Sequence, residues 1–326
     1  MQLSDIYQLV VEDLAKVESQ IRSVAEVESP RLAELLEHSL KGGGKRLRPV
    51  LTLLSAKFYH YDLDRLLPMA SAVELMHTAT LIHDDAIDNS AVRRGRPTIN
   101  SLWGEDKAVL LGDYLFAKAG EFAALTGNLR VIRLFAQTLQ IITSGELKQT
   151  FDAFNLEQSR DHYFERISGK TASLFSLATE SGAILSQAPE ESIKVLREYG
   201  FNLGIAFQIV DDVLDFIGTE EELGKPIGLD LAQGTLTLPA MLLLERYPED
   251  NPVKELFTNR DMPEAEKKEK IKQAIKLVGD PLVIKQCREV ASDYCAKACR
   301  QLGQLPDNSS RQALKDIADL VTSRKR

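Results

Sequence analysis

Leu75 to Asp88 reads LMHTATLIHDDAID, and Phe201 to Asp215 reads FNLGIAFQIVDDVLD. Each stretch begins with apolar or small residues at helical spacing, Met76, Ala79, Leu81 and Ile82 in the first and Ile205, Phe207, Ile209 and Val210 in the second. Each then closes on Asp-Asp-x-x-Asp, as Asp84, Asp85 and Asp88 or Asp211, Asp212 and Asp215. The spacing predicts two helices that run apolar and end acidic. Carboxylates at a helix C-terminus oppose the helix dipole, which disfavours negative charge there by roughly 0.3–1 kcal/mol per group, so something else must favour them. The outer acids of each motif lie four residues apart, one turn above each other, where their oxygens can converge on a common point. Hard divalent cations want such oxygen ligands, and Mg²⁺ takes one or two carboxylates while leaving places for water and phosphate oxygens. Two such clusters facing each other could hold magnesium ions between them, with a diphosphate completing the coordination.

Outward from these stretches the same period continues, as in Leu9, Val10, Leu14, Val17 and Ile21, or Val131, Ile132, Phe135, Leu139 and Ile142. Sustained alternation of the strand type is scarce, and no Asn-Gly or Asp-Gly turn joins two β-branched runs. Breaks are expected at Gly42 to Gly44, Gly95 to Pro97, Ala188-Pro189, Gly224 to Gly234, Pro248 to Pro252 and Gly279 to Pro281. The expected fold is all-α, ten or more helices in a single domain spanning residues 1–326, with no linker-like composition and no repeat. The chain is 44% hydrophobic, ample for a sizeable core.

Forty basic against 48 acidic residues give a net charge of -8, which argues against a nucleic-acid-coating surface. Met1 to Ile21 carries acids throughout and does not resemble a secretory signal, and no window reaches the roughly 18 apolar residues of a membrane span, so a cytoplasmic location is expected. Cys287, Cys295 and Cys299, spaced by eight and four, are expected to share a helix face as small residues rather than to bind metal. His83 and His162 lack a second histidine at ligand spacing, and Asp261 to Lys276 reads as a solvated helix or loop.

An overall acidic protein needs local cations to hold an anionic substrate. Gly42-Gly43-Gly44-Lys45-Arg46-Leu47-Arg48-Pro49 is a glycine turn followed by three cations, a place where amides and side chains can gather phosphate oxygens. It is not a Walker loop, because the G-x-x-x-x-G-K-[ST] order is absent. Arg93-Arg94-Gly95-Arg96 follows the first acidic motif by a turn and a loop, which brings guanidinium groups beside it.

Taken in order, Gly43 to Pro49 (GGKRLRP), His83 to Asp88 (HDDAID) with Arg93-Arg94-Gly95, Gly169-Lys170-Thr171 and Phe207 to Phe216 (FQIVDDVLDF) resemble the motif set of the trans-polyprenyl diphosphate synthases, over residues 40–240. The resemblance implies a helical bundle around a central cavity, of the isoprenoid synthase type, and a magnesium-dependent homodimer. Its substrates would be isopentenyl diphosphate and an allylic diphosphate. It assigns Lys45, Arg48, His77 and Arg94 to the diphosphate of isopentenyl diphosphate, and Arg93, Lys170 and Lys225 to the allylic diphosphate. Asp84, Asp88 and Asp211 would lead the metal ligands, supported by Asp85, Asp212 and Asp215; Thr171 and Gln208 would lie along the reacting carbons, so that Lys170, Thr171, Gln208 and Arg93 form the catalytic set.

Product length would follow from the depth of the pocket below the first motif. Thr80 sits one turn, about 6 Å, deeper than Asp84, and Met76 a turn deeper still. Ala79 occupies the position where short-chain relatives resemble one another in carrying an aromatic floor, and His77 to His83 resembles the long-chain members that make quinone side chains. An open pocket and a long all-trans product are therefore expected, with a farnesyl- or geranylgeranyl-length product or a silent partner subunit as the alternatives. A terpene cyclase would need no Lys45, Arg48 and His77 for a second diphosphate. One departure is Thr235, where many relatives place a lysine.

Overall fold

A computed structural model describes residues 6–41, 44–218 and 227–324. After one 3-10 turn at Gln8–Val10 come α1 (Val11–Ser23), α2 (Pro30–Leu40), α3 (Leu47–Ala56) and α4 (Leu63–Ile87). A hairpin of two-residue strands follows, β1 (Val92–Arg93) and β2 (Arg96–Pro97), then α5 (Ile99–Trp103), α6 (Glu105–Leu125), α7 (Leu129–Phe151) and α8 (Arg160–Ile167). A π turn at Ser168–Ala172 leads into α9 (Ser173–Leu185), and α10 (Glu190–Ile217) is the longest described helix. The chain closes with α11 (Leu229–Ala232), α12 (Leu238–Arg246), α13 (Pro252–Thr258), α14 (Glu264–Val278), α15 (Pro281–Leu302) and α16 (Ser309–Ser323).

Local chemistry sets the boundaries. Ser29 caps α2 with Pro30 in its first turn, the Asn128 side chain accepts from the amides of Arg130 and Val131 at the head of α7, and Asp280-Pro281 opens α15 in the same manner. His162 accepts from the Ser159 amide at 3.2 Å and completes a reciprocal cap of α8. The expected breaks at Ala188-Pro189, Pro248 to Pro252 and Gly279 to Pro281 fall at junctions of helices, with Pro252 and Pro281 opening α13 and α15. Gly42, Gly43 and residues 224–226 of the Gly224 to Gly234 break lie outside the described residues, and the rest of that break holds the short α11. Glu264–Val278 resolves the charge-dense segment as an amphipathic helix with Ala274 and Val278 inward.

The centre of the bundle is α4, α9 and α10. Every residue from Leu174 to Leu185 is buried except the half-buried Ser176, so α9 runs through the core with almost no solvent face. It reaches its neighbours at backbone distance: a Cβ on Gly182 would lie 2.2 Å from the Thr52 carbonyl oxygen of α3, and one on Gly204 of α10 would lie 2.6 Å from Ala172 Cα. Gly182→Ala is therefore expected to destabilise the fold by about 1–3 kcal/mol, because the obstructing atoms are main chain and cannot rotate away. Thermal denaturation beside wild type checks this; an unchanged midpoint would mean that α3 and α9 can separate freely.

Cys287 and Cys295 are buried and Cys299 half-buried on α15, all three free, and burial pushes the thiols of the first two up to about 12. They fill space, as expected of small residues on a helix face. None of the described helices is long and apolar enough to cross a membrane.

Candidate active site

The C-terminal halves of α4 and α10 open into one cavity of about 730 Å³, within the range that holds small-molecule ligands. All six motif aspartates line it, Asp84, Asp85 and Asp88 from α4 and Asp211, Asp212 and Asp215 from α10. Lys45, Arg48, His77, Arg93, Arg94, Lys170, Thr171 and Gln208 line it too, so every sequence-derived diphosphate and catalytic position in the described residues converges there. Lys225 lies outside the described residues.

The first motif is held by cations. Asp84 lies 3.3 Å from Lys170 Nζ, which also pairs with Glu146 Oε1 at 2.7 Å. Burial works against the Lys170 charge, but Asp84 and Glu146 outweigh it and raise its pKa. Asp85 accepts from Arg93 Nε at 2.8 Å; burial still pushes its carboxyl up to about 6 against the pull of Arg93. Asp88 closes the helix, its amide donating to the Asp84 carbonyl at 2.8 Å, and burial and the nearby Asp84 raise its carboxyl as well.

The second motif divides into one accessible and two enclosed carboxylates. Asp211 is about a third exposed and pairs with Arg324 Nη1 at 2.9 Å, while the Arg324 guanidinium stacks 4.4 Å over the Phe207 ring. Asp212 is buried and accepts from Tyr163 Oη at 2.7 Å and Gln208 Nε2 at 2.8 Å, and Gln208 Oε1 in turn accepts from Thr171 Oγ1 at 2.5 Å. Burial, reinforced by Asp230, pushes the Asp212 carboxyl up to about 7 despite those donors. Asp215 is buried and receives the Asp230 amide at 3.4 Å.

The chain from Thr171 through Gln208 to Asp212 and Tyr163 ties α8, the π turn and α10 into one polar unit. Tyr163→Phe leaves a buried carboxylate short of a donor and is expected to cost about 1–3 kcal/mol of stability. Urea unfolding of the two proteins measures it; equal midpoints would show that water replaces the phenol at no cost.

The basic wall is built from α3, α4 and the hairpin. Arg94 and Gly95 adopt φ of 51° and 72°, the left-handed pair a two-residue hairpin turn requires. The turn folds Arg93 and Arg94 back over the cavity, a strand feature the absence of Asn-Gly and Asp-Gly had concealed. Gly44 lets Arg94 approach, since a Cβ there would lie 3.1 Å from Arg94 Nη1. Arg46 instead anchors the loop, pairing with Glu74 at 2.8 Å and with Glu18. Arg48 lies 4.8 Å over Phe175, and burial lowers its pKa to about 10. Burial, then Arg48, Arg94 and Arg93, hold His77 far below its usual value, so its imidazole is neutral, and burial together with Arg93 lowers Arg94. Cations that depress one another in this way are the mark of a pocket shaped for an anion.

The chain-length positions separate. Thr80 lines the floor of the cavity with Ile142 and Leu174. Ala79 and Met76 are fully buried and do not border it. One residue along a helix turns the side chain by about 100°, which carries Ala79 off the Thr80 stripe, while Met76 lies on that stripe a turn before Thr80. His83 serves packing, its Nε2 3.0 Å from the Val109 carbonyl oxygen and its ring edge-on to Phe116 where α4 crosses α6.

Sequence reasoning missed Glu146, Tyr163, Ile142, Leu174 and Arg324. Ile142 and Glu146 stand four apart on α7, so one cavity-facing stripe was visible in principle; Arg324 lies more than 100 residues from Asp211 and gave no local signal.

Among the described residues no three His, Cys, Asp or Glu groups converge closely enough to hold a metal ion alone. The donor set nevertheless fits magnesium, which needs only one or two hard carboxylate oxygens from the protein. Lys170 and Arg324 stand as cations against Asp84 and Asp211, the leading acids of the two motifs.

Comparisons with known proteins agree with this geometry. The profile of the polyprenyl synthetase family matches residues 29–278. The chain is 40% identical over 324 residues to heptaprenyl diphosphate synthase component 2 of Geobacillus stearothermophilus, covering 99% of both chains. It superposes on a crystal structure of polyprenyl synthase from Caulobacter crescentus complexed with calcium and isoprenyl diphosphate with a TM-score of 0.94, at 35% identity over 100% of this chain and 98% of that one. A decaprenyl diphosphate synthase from Rhodobacter capsulatus gives 0.90 at 40% identity over the whole of both. With the profile covering most of the chain and relatives aligned nearly end to end, the protein belongs to the polyprenyl synthetase family.

Proposed function

We propose that this protein joins isopentenyl diphosphate to an allylic diphosphate repeatedly, giving a long all-trans polyprenyl diphosphate of the hexaprenyl to decaprenyl class, suited to a quinone side chain. The observation that carries the reading is the single cavity in which six aspartates face a basic pocket of Lys45, Arg48, His77 and Arg94. A one-diphosphate enzyme would have no use for that second pocket, and a silent subunit would have no use for two intact acidic motifs.

In this reading Lys45, Arg48, Arg94 and the neutral His77 hold the diphosphate of isopentenyl diphosphate, and Arg93, Lys170 and, by family resemblance, Lys225 hold that of the allylic partner. Asp84, Asp88 and Asp211, with Asp85, Asp212 and Asp215 behind them, would carry Mg²⁺. Bound magnesium would neutralise charge on the departing diphosphate. Lys170 donates to that diphosphate as the allylic C–O bond breaks, where charge develops and fixed donors act most strongly. Thr171 and Gln208, locked to each other, present oxygen atoms beside the reacting carbons and hold that wall in place. The double bond of isopentenyl diphosphate forms the new C–C bond, and a proton leaves to the departing diphosphate.

Leu110, Leu125, Leu129, Leu147 and Phe151 are exposed along α6 and α7, Phe151 to 82%. So large an apolar face favours a second copy of the chain as its cover. The relative from Geobacillus stearothermophilus is named as one component of a synthase, so a different partner is the competing occupant. The three free thiols suit a reducing, cytoplasmic compartment.

Incubating the purified protein with magnesium, radiolabelled isopentenyl diphosphate and a farnesyl or geranylgeranyl primer tests the proposal. Products longer than the primer by several isoprene units are expected; no incorporation with any primer would overturn it.

A further inference from the structure

Glu146 belongs to none of the motifs, yet it lines the cavity one helical turn from the floor residue Ile142. Its side chain is about a fifth exposed, and burial raises its carboxyl while Lys170 opposes that rise. A largely buried carboxylate is costly unless paired, and the pair here is Lys170 at 2.7 Å. Lys170 has a second claimant, Asp84 at 3.3 Å.

We propose that Glu146 is a positioning residue that divides the Lys170 charge and thereby keeps the Asp84 oxygens available to a divalent cation. This rests on the function proposed above. An ammonium group has three donors. With Glu146 occupying one, Lys170 stays protonated and fixed when Asp84 turns to a divalent cation, and its remaining donors face the diphosphate oxygens. Without Glu146, Lys170 has Asp84 as its sole strong carboxylate partner in this geometry, and the ammonium competes with the cation for the same oxygens.

The π turn supports this arrangement. Widening the helix at Ser168–Ala172 places Lys170 and Thr171 on the cavity wall together, so the ammonium is aimed by the backbone and then held by α7. Glu146 thus acts through Lys170 and is not assigned a contact with the reacting carbons.

The test compares wild type with Glu146→Ala, Glu146→Gln, Lys170→Met and the Glu146→Ala/Lys170→Met double variant. Thermal stabilisation by inorganic pyrophosphate is followed as magnesium is titrated, and steady-state constants are measured beside it. For Glu146→Ala the magnesium concentration at half-stabilisation should rise about tenfold, as one lost charge-assisted contact implies. Its kcat should fall by about ten- to a hundred-fold with the KM for isopentenyl diphosphate unchanged. Glu146→Gln, which keeps the oxygen and the shape, should recover part of both. The double variant should resemble Lys170→Met alone, because the two residues act as one unit. An unshifted magnesium midpoint in both Glu146 variants, or strict additivity with Lys170→Met, would overturn the inference while leaving the proposed function intact. If wild type itself showed neither magnesium-dependent pyrophosphate binding nor incorporation of isopentenyl diphosphate, the proposed function would fall, and the inference with it.

Discussion

Asp211→Ala is expected to lower isopentenyl diphosphate incorporation by about a hundred- to a thousand-fold while leaving the melting temperature within about 2 °C of wild type. The two halves of that result have separate causes. Asp211 is the accessible member of its motif, and its partner Arg324 keeps the Phe207 ring as a second contact when the carboxylate is removed, so the loss to folding is small. Its oxygen, in contrast, is one of the few that can hold a cation against the departing diphosphate, where a single electrostatic stabiliser supplies about 3–4 kcal/mol of barrier lowering. Asp212 would not give so clean a result, since it is buried under Tyr163 and Gln208 and its removal disturbs packing as well. Steady-state kinetics and a melting curve on one preparation are enough. Activity within threefold of wild type would mean that the second motif is not where the cation sits.

Thr80→Phe is expected to shorten the product by several isoprene units. Thr80 donates its hydroxyl to the His77 carbonyl at 2.7 Å and presents a small side chain at the floor, beside Ile142 and Leu174. A phenyl ring there would fill the depth into which a growing chain must pass, while the carboxylates and the basic pocket above stay as they are. Ala79→Tyr is the instructive contrast. Position 79 is fully buried and does not border the cavity, so a tyrosine there is expected to overpack the bundle at a cost of about 1–3 kcal/mol. Reversed-phase thin-layer chromatography of the dephosphorylated products distinguishes the two. An unchanged product distribution from Thr80→Phe would mean that the chain grows along another wall.

How much of this was legible in the sequence depends on the range of the interaction. The helices α4 and α10, their acidic ends and the basic runs are local patterns, and period and spacing alone located them. The convergence of both motifs on one cavity came by resemblance, because no local rule says which helices face each other. The hairpin at Arg94-Gly95 was hidden because its first turn residue is arginine, which adopts a left-handed φ only because the surrounding contacts hold it there. Ala79 and Thr80 differ by a single residue of helical phase, and which of them borders the cavity cannot be read without knowing where α6 and α7 lie. Glu146, Tyr163 and Arg324 hold their partners across 24, 49 and 113 residues, and nothing near each of them in the chain distinguishes it from other charged or aromatic positions.

The most direct measurement is anomalous diffraction from crystals grown with manganese and inorganic pyrophosphate. Manganese peaks are expected between the carboxylates of Asp84 and Asp211, with the pyrophosphate facing Arg93 and Lys170. Manganese bound at one motif alone, or pyrophosphate lodged away from both, would contradict the account.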